Sequence, residues 1–189
     1  MKLAVFLIAA LACTPARAQD LFAENVIDRR PYAVQGNSLG ALLREMATRG
    51  PRGYWAYTAT FWTWDAQCTM RFRAEIDFPE LTDRSGLPEA ALKTWDDMIA
   101  ALWAHEMEHV EIGRAWAAAI KQADCEETAV AAINRAHENR DAELDARTDH
   151  GRLTGVTLEP PGQANDRIPG QGGTDVDRAP SGGGATLAD

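Results

Sequence analysis

The chain has 189 residues, a quarter of them charged, with 28 acidic side chains against 19 basic ones and a net charge of −9. An acidic surface of that kind repels a phosphate backbone, so nucleic acid is excluded as an expected partner. With 46% hydrophobic residues, the length suits one ordered domain rather than several.

The first expected element is a leader. Lys2 precedes an apolar run over 3–12 and the small-residue site Ala16-Arg17-Ala18. This order reads as a signal peptide over 1–18, cut after Ala18, which places the mature protein in the periplasm or outside the cell. The run is shorter than the roughly 20 apolar residues a bilayer requires, so no transmembrane span is expected. Lipid attachment at Cys13 is the alternative, although Ala10 stands where lipoprotein signals carry leucine. Cleavage removes the two cations Lys2 and Arg17 and no acid, which moves the net charge from −9 to −11. It also removes Cys13, leaving Cys68 and Cys125 in an oxidising compartment, where a disulfide between them is the natural pairing.

The domain is expected over 19–158. Tyr32-Ala33-Val34 reads as a short strand, and Ser38 as the N-cap of a helix over 39 to about 48, ended by Gly50-Pro51. Strong alternation follows. Trp55, Tyr57, Ala59 and Phe61 share one face, with Tyr54, Trp62 and Trp64 on the other. After Asp65-Ala66-Gln67 the pattern resumes at Cys68, Met70, Phe72, Ala74, Ile76 and Phe78. This is the signature of an aromatic-rich antiparallel β-hairpin, expected to pack on helices.

A long helix is expected over 89–123. Its apolar stripe is Trp95, Met98, Leu102, His105, His109, Ile112, Trp116 and Ile120, which puts two histidines on the buried face. Asp124 with Glu127 resembles a capping pair for a second helix over 125–149, stopped by Gly151. The architecture is therefore α+β, a hairpin sheet packed on a long helix and a second C-terminal helix. Residues 159–189 are crowded with Gly, Pro and Asp, and read as a disordered acidic tail.

Within the long helix, HEMEH spans 105–109. A chain with four histidines holds roughly 0.006 copies of His-Glu-x-x-His by chance. Residues four apart share a helix face, so His105 and His109 can direct two imidazoles at one ion. Glu106, beside that face, can act as general base toward a zinc-bound water, whose attack cleaves a peptide bond. Glu108 and Glu111 fall on the solvated side. A catalytic zinc site usually takes a third protein ligand. The extended motif with a third histidine six positions on is absent, because Ala115 stands there. Glu126, Glu127, Glu138 and Glu143 lie on the following helix, and His137 and His150 are the remaining histidines.

WAHEMEHVEIG, followed at a distance by AELDARTDHG, resembles a bacterial family of secreted proteins of unknown function that are predicted zinc-dependent proteases. The resemblance covers most of the ordered chain: the N-terminal strand and helix ending at Gly50-Pro51, the aromatic hairpin, the cysteine pair, HExxH, and a closing Y-D-x-x-T-x-H-G. Here the closing motif runs from Leu144 to Gly151, with Leu144 in place of the tyrosine. The resemblance implies a zincin-like fold, one Zn2+ ion, and a third ligand in or near the closing motif.

Residue chemistry selects His150 as the expected third ligand, since imidazole suits zinc and Gly151 would end the helix and let the ring turn inward. Glu143 or Asp145 is the alternative, and either could instead accept a hydrogen bond from a ligand histidine. Thr148 could support that arrangement through its hydroxyl, and Arg147 could stabilise an oxyanion, although capping or surface roles suit both. His137 is expected to be exposed on its helix. The reading that follows is an exported zinc metallopeptidase acting on a peptide or protein substrate held along the hairpin edge. The alternative is a cell-envelope binding or assembly protein that holds zinc without turnover.

Overall fold

The computed structural model describes residues 21–158. The expected leader, Cys13 and the tail over 159–189 lie outside them. Alternation in the hairpin sets the sheet. Strand β3 (Met70–Leu81) buries Met70, Phe72, Ala74, Ile76 and Phe78 and turns Arg71, Arg73, Glu75 and Asp77 to the other face. Strand β2 (Tyr57–Trp64) pairs with it antiparallel, Tyr57 opposite Asp77 and Trp64 opposite Met70. Asp65 shapes the turn between them, its Oδ1 accepting the N–H groups of Gln67 and Thr69 at 3.0 and 2.9 Å.

The third strand corrects the sequence reading. Only 32–34 read as a strand, yet β1 (Glu24–Val34) pairs along its whole length with β3, and the pairing is parallel. The sheet order is β1-β3-β2. Charges mask β1, an edge strand in which only Val34 is fully buried. Arg30 donates to both carboxylate oxygens of Asp77 at 2.9 and 3.0 Å and to Glu75 at 2.6 Å, and Arg73 donates to Asp28 at 2.6 Å. Each exposed pair contributes at most about 1 kcal/mol, but together they specify the register.

Helix α1 (Leu39–Arg49) starts as expected, with Ser38 Oγ accepting the Ala41 N–H at 3.3 Å, and buries Leu42 and Met46 against the core. Helix α2 (Glu89–Gln122) packs on the sheet. Its buried face includes Trp95, Met98, Leu102, His105, Glu106, Val110, Gly113, Trp116 and Ile120. Val110 and Gly113 take the central place expected of Ile112, which is only half-buried. Gly113 is the helix's single glycine. A Cβ there would fall 2.7 Å from the Thr60 side chain, so α2 and β2 approach more closely than a larger residue allows.

The single helix expected over 125–149 is instead two, α3 (Glu127–His137) and α4 (Arg140–Thr148). The break falls in HENRD, 137–141, where five consecutive polar residues give a continuous helix no apolar side chain to bury. Nor do Asp124 and Glu127 form a capping pair. Asp124 and Cys125 both take left-handed backbone, with φ of 50° and 56°, and the N-cap is Glu126, without a side-chain capping bond. Cys125 is joined to Cys68 by a disulfide, Cα to Cα 5.7 Å, as the sequence reading expected. The Lys121 ammonium donates to the Cys68 carbonyl beside it at 2.6 Å. The hairpin turn is thereby tied to the α2–α3 turn in an α+β fold. Among the described residues no helix is long and apolar enough to cross a membrane.

Candidate metal centre

His105 and His109 stand one helical turn apart on α2, and their rings meet edge to face with centroids 4.9 Å apart. Asp141 and Asp145 repeat that spacing on α4 and confront them. Asp145 Oδ1 lies 3.2 Å from His105 Nε2 and 3.2 Å from His109 Nε2. Asp141 Oδ1 lies 2.9 Å from the other nitrogen of His109, Nδ1. The donor atoms of His105, His109 and Asp145 all fall within 4.8 Å of one another. With ligand bonds of about 2.0–2.2 Å, two donors on a tetrahedral zinc stand roughly 3.3–3.6 Å apart. The two 3.2 Å separations come close to that edge, and the third is no more than 4.8 Å, so the set could hold one small divalent ion.

A fourth group, Glu106, lies beside that set but is not part of it. Glu106 is 4% exposed, and its Oε2 accepts the Thr58 hydroxyl of β2 at 2.7 Å. Burial pushes its carboxyl up from the ordinary value, against the opposing pull of Thr58 and the two imidazoles. Burial pushes His109 the other way, but its bonds to Asp141 and Asp145 outweigh that and raise it to about 10. Asp145 is held well below the usual carboxylate range: burial would raise it, and the bonds to His105 and His109 prevail. His105 Nδ1 is buried without a hydrogen-bond partner among the described residues, so packing holds that side of the ring while Asp145 meets its Nε2.

The turn after α4 supplies the packing. The Thr148 hydroxyl donates to the Leu144 carbonyl at 2.9 Å and accepts the Gly151 N–H at 3.0 Å. Asp149, His150 and Gly151 follow in left-handed backbone, at φ of 51°, 51° and 82°. A Cβ on Gly151 would come 2.5 Å from Val156 Cγ2 and 3.2 Å from His105 Cγ, so only glycine lets the chain close over the imidazole. His105, Glu106, His109, Asp141 and Asp145 line one cleft of about 300 Å³, walled also by Arg52, Tyr54, Trp55, Tyr57 and Leu102.

The family described as bacterial protein of unknown function, DUF922, matches the chain over residues 29–151. The chain belongs to that family. The DUF922 match opens within β1 and ends on Gly151, and so includes the whole donor set and the turn that packs on it. No curated protein and no solved structure matches the chain.

Of the three residues weighed as third ligand in this DUF922 protein, the fold brings Asp145 to the imidazoles. His150 stays at the rim, with its Nδ1 3.6 Å from Asp145 Oδ2 and its ring 5.6 Å from that of Tyr54. Glu143 is exposed on the outer side of α4. Arg147 lies outside the cleft, 3.6 Å from Glu108 and largely exposed. Leu144 is buried and does not line the cleft, so the departure from tyrosine falls in packing rather than at the donors. His137, expected to be exposed, is half-buried and stacked on Trp116 at 5.8 Å, apart from the site. Two residues were missed in the sequence. Asp141 carried a signal, the same four-residue spacing from Asp145 that His105 keeps from His109. Thr58 carried none, since its role depends on where β2 crosses α2.

Proposed function

We propose that this DUF922 protein is an exported zinc-dependent hydrolase of peptide bonds, with a zincin-like arrangement of sheet edge and metal-binding helix. The observation that carries the reading is the division of labour in one cleft. Three donors are spaced for a single ion, and a buried carboxylate beside them, Glu106, is held by Thr58 rather than by the donor set. A structural zinc site is usually closed by four protein ligands and has no need of such a neighbour.

A bound zinc ion would supply Lewis-acid polarisation of the attacking water and the scissile carbonyl. His105, His109 and Asp145 would hold it. Asp141 accepts the Nδ1–H of His109 and so leaves the Nε2 lone pair for the ion. Glu106 takes the proton of the attacking water and passes it to the leaving amine. The Thr58 hydroxyl fixes one oxygen of that carboxylate, and burial makes it a stronger base than an exposed glutamate. Among the described residues β2 is an edge strand, whose outer backbone groups would pair with an extended peptide.

Metal analysis joined to one substitution tests this. Purified protein is expected to carry about one zinc per chain, lost on His105→Ala or His109→Ala. Glu106→Gln is expected to keep the zinc and abolish cleavage of a peptide library. Wild type without zinc, or Glu106→Gln cleaving at the wild-type rate, would overturn the proposal.

A further inference from the structure

Arg52 is the only arginine or lysine among the described residues that line the cleft. It occupies the middle of a single 3-10 turn, Pro51–Gly53, between α1 and β2, with φ 53° and ψ 23°. That left-handed conformation is costly for a side chain with a Cβ, and glycine or asparagine would adopt it more readily. The neighbours enforce it. A Cβ on Gly50 would overlap the Tyr54 carbonyl oxygen at 1.9 Å, Pro51 fixes its own φ, and Gly53 turns at φ 85°. The turn is closed by the Tyr54 N–H donating to the Pro51 carbonyl at 2.9 Å.

A strained backbone thus presents an arginine where a cheaper residue would serve the turn. Its guanidinium carbon sits 4.4 Å from the centroid of the Tyr57 ring. That cation–π contact leaves the guanidinium N–H groups, which have no hydrogen bond among the described residues, available to a planar anion. Arg30, Arg73, Arg84, Arg114 and Arg152 each hold a carboxylate, whereas Arg52 has none among the described residues. The acids of the cleft are engaged elsewhere, Glu106 with Thr58 and Asp141 and Asp145 with the imidazoles.

We infer that Arg52 selects substrates presenting a carboxylate near the bond to be cut, from an acidic side chain or from the free C-terminus of a peptide. The inference rests on the hydrolase reading and names its substrate class.

The test compares peptides that differ in one group: end-blocked sequences with Glu, Gln or Lys at each position near the cleaved bond, and matched peptides with free or amidated C-termini. Wild type is expected to prefer the carboxylate member by about fivefold in kcat/KM at low salt, the size of an exposed ion pair, with the preference shrinking at high salt. Arg52→Asn, which suits the left-handed backbone, is expected to erase the preference with an unchanged melting temperature, and Arg52→Lys to keep part of it. Binding of the same labelled peptides to zinc-loaded Glu106→Gln protein is expected to follow the same order. Preference among internal acids or among free termini identifies the source. Cleavage with no carboxylate preference would overturn the role of Arg52 and leave the hydrolase standing. An Arg52-dependent preference in binding, with no cleavage of any peptide, would retain Arg52 and remove the hydrolase. Equal binding of Glu and Gln peptides, and of free and amidated ones, removes the Arg52 inference.

Discussion

His109 is held between two carboxylates, and its two nitrogens have different tasks. Its folded value, about 10 against an ordinary 6.5, means that the metal-free protein retains a proton there at neutral pH. Because the folded value is the raised one, the pairing stabilises the metal-free fold fully below 6.5, and that contribution is lost as pH rises through about 10. A metal ion must displace the proton on Nε2. Affinity for zinc is therefore expected to rise with pH by up to tenfold per unit between pH 7 and 9, measured by chelator competition. Asp141→Asn removes one of the two anions, and is expected to weaken zinc binding by about 10- to 100-fold and flatten that slope. An unchanged slope would place the proton elsewhere. At this scale the sequence was legible where helical spacing alone fixes position, as for His105, Glu106 and His109. Asp145 could only be one of three candidates, because its approach to the imidazoles depends on a helix break that residue spacing does not encode.

The contact between α2 and β2 is decided by a missing side chain. Thr60 sits on Gly113, and two residues earlier on the same face Thr58 reaches Glu106. Gly113→Ala would place its Cβ within 2.7 Å of Thr60 and force helix and strand apart. The expected cost is about 1–3 kcal/mol of stability, read by denaturant melts. A loss of kcat exceeding that of a similarly destabilised variant remote from the cleft would show that Glu106 has moved. The alternation that builds this contact was plain in the sequence for β3 and α2, which each bury one regular face, whereas in β2 only Trp62 and Trp64 are fully buried. β1 was not, because the side it shares with Phe72, Ala74, Ile76 and Phe78 carries Asn25 and Arg29 beside Ile27, which breaks the apolar alternation. The α3–α4 division was missed for a related reason: helix propensity continues through HENRD, and only tertiary packing ends it.

For the whole molecule the main covalent constraint is the disulfide, which spans a sequence separation of 57 residues. The chain-entropy estimate for a loop of that length is about 4 kcal/mol. Reduction, or Cys68→Ser with Cys125→Ser, is therefore expected to lower the melting temperature by on the order of 10 °C. A shift within error would mean that the reduced unfolded chain stays as restricted as the oxidised one. The pairing could be anticipated from two cysteines in an oxidising compartment, but not its place, which is set by the two consecutive left-handed residues Asp124 and Cys125.

Along the chain, the loop closed by Cys68 and Cys125 and the loop that zinc would close, from His105 and His109 to Asp145, interleave: the histidines lie inside the first and the aspartate outside it. Each closure narrows the freedom that the other must still remove. The two are therefore thermodynamically coupled on the metal reading, and the coupling is reciprocal. Reduced protein should bind zinc more weakly than oxidised protein, and zinc should protect the disulfide against reductant by the same factor.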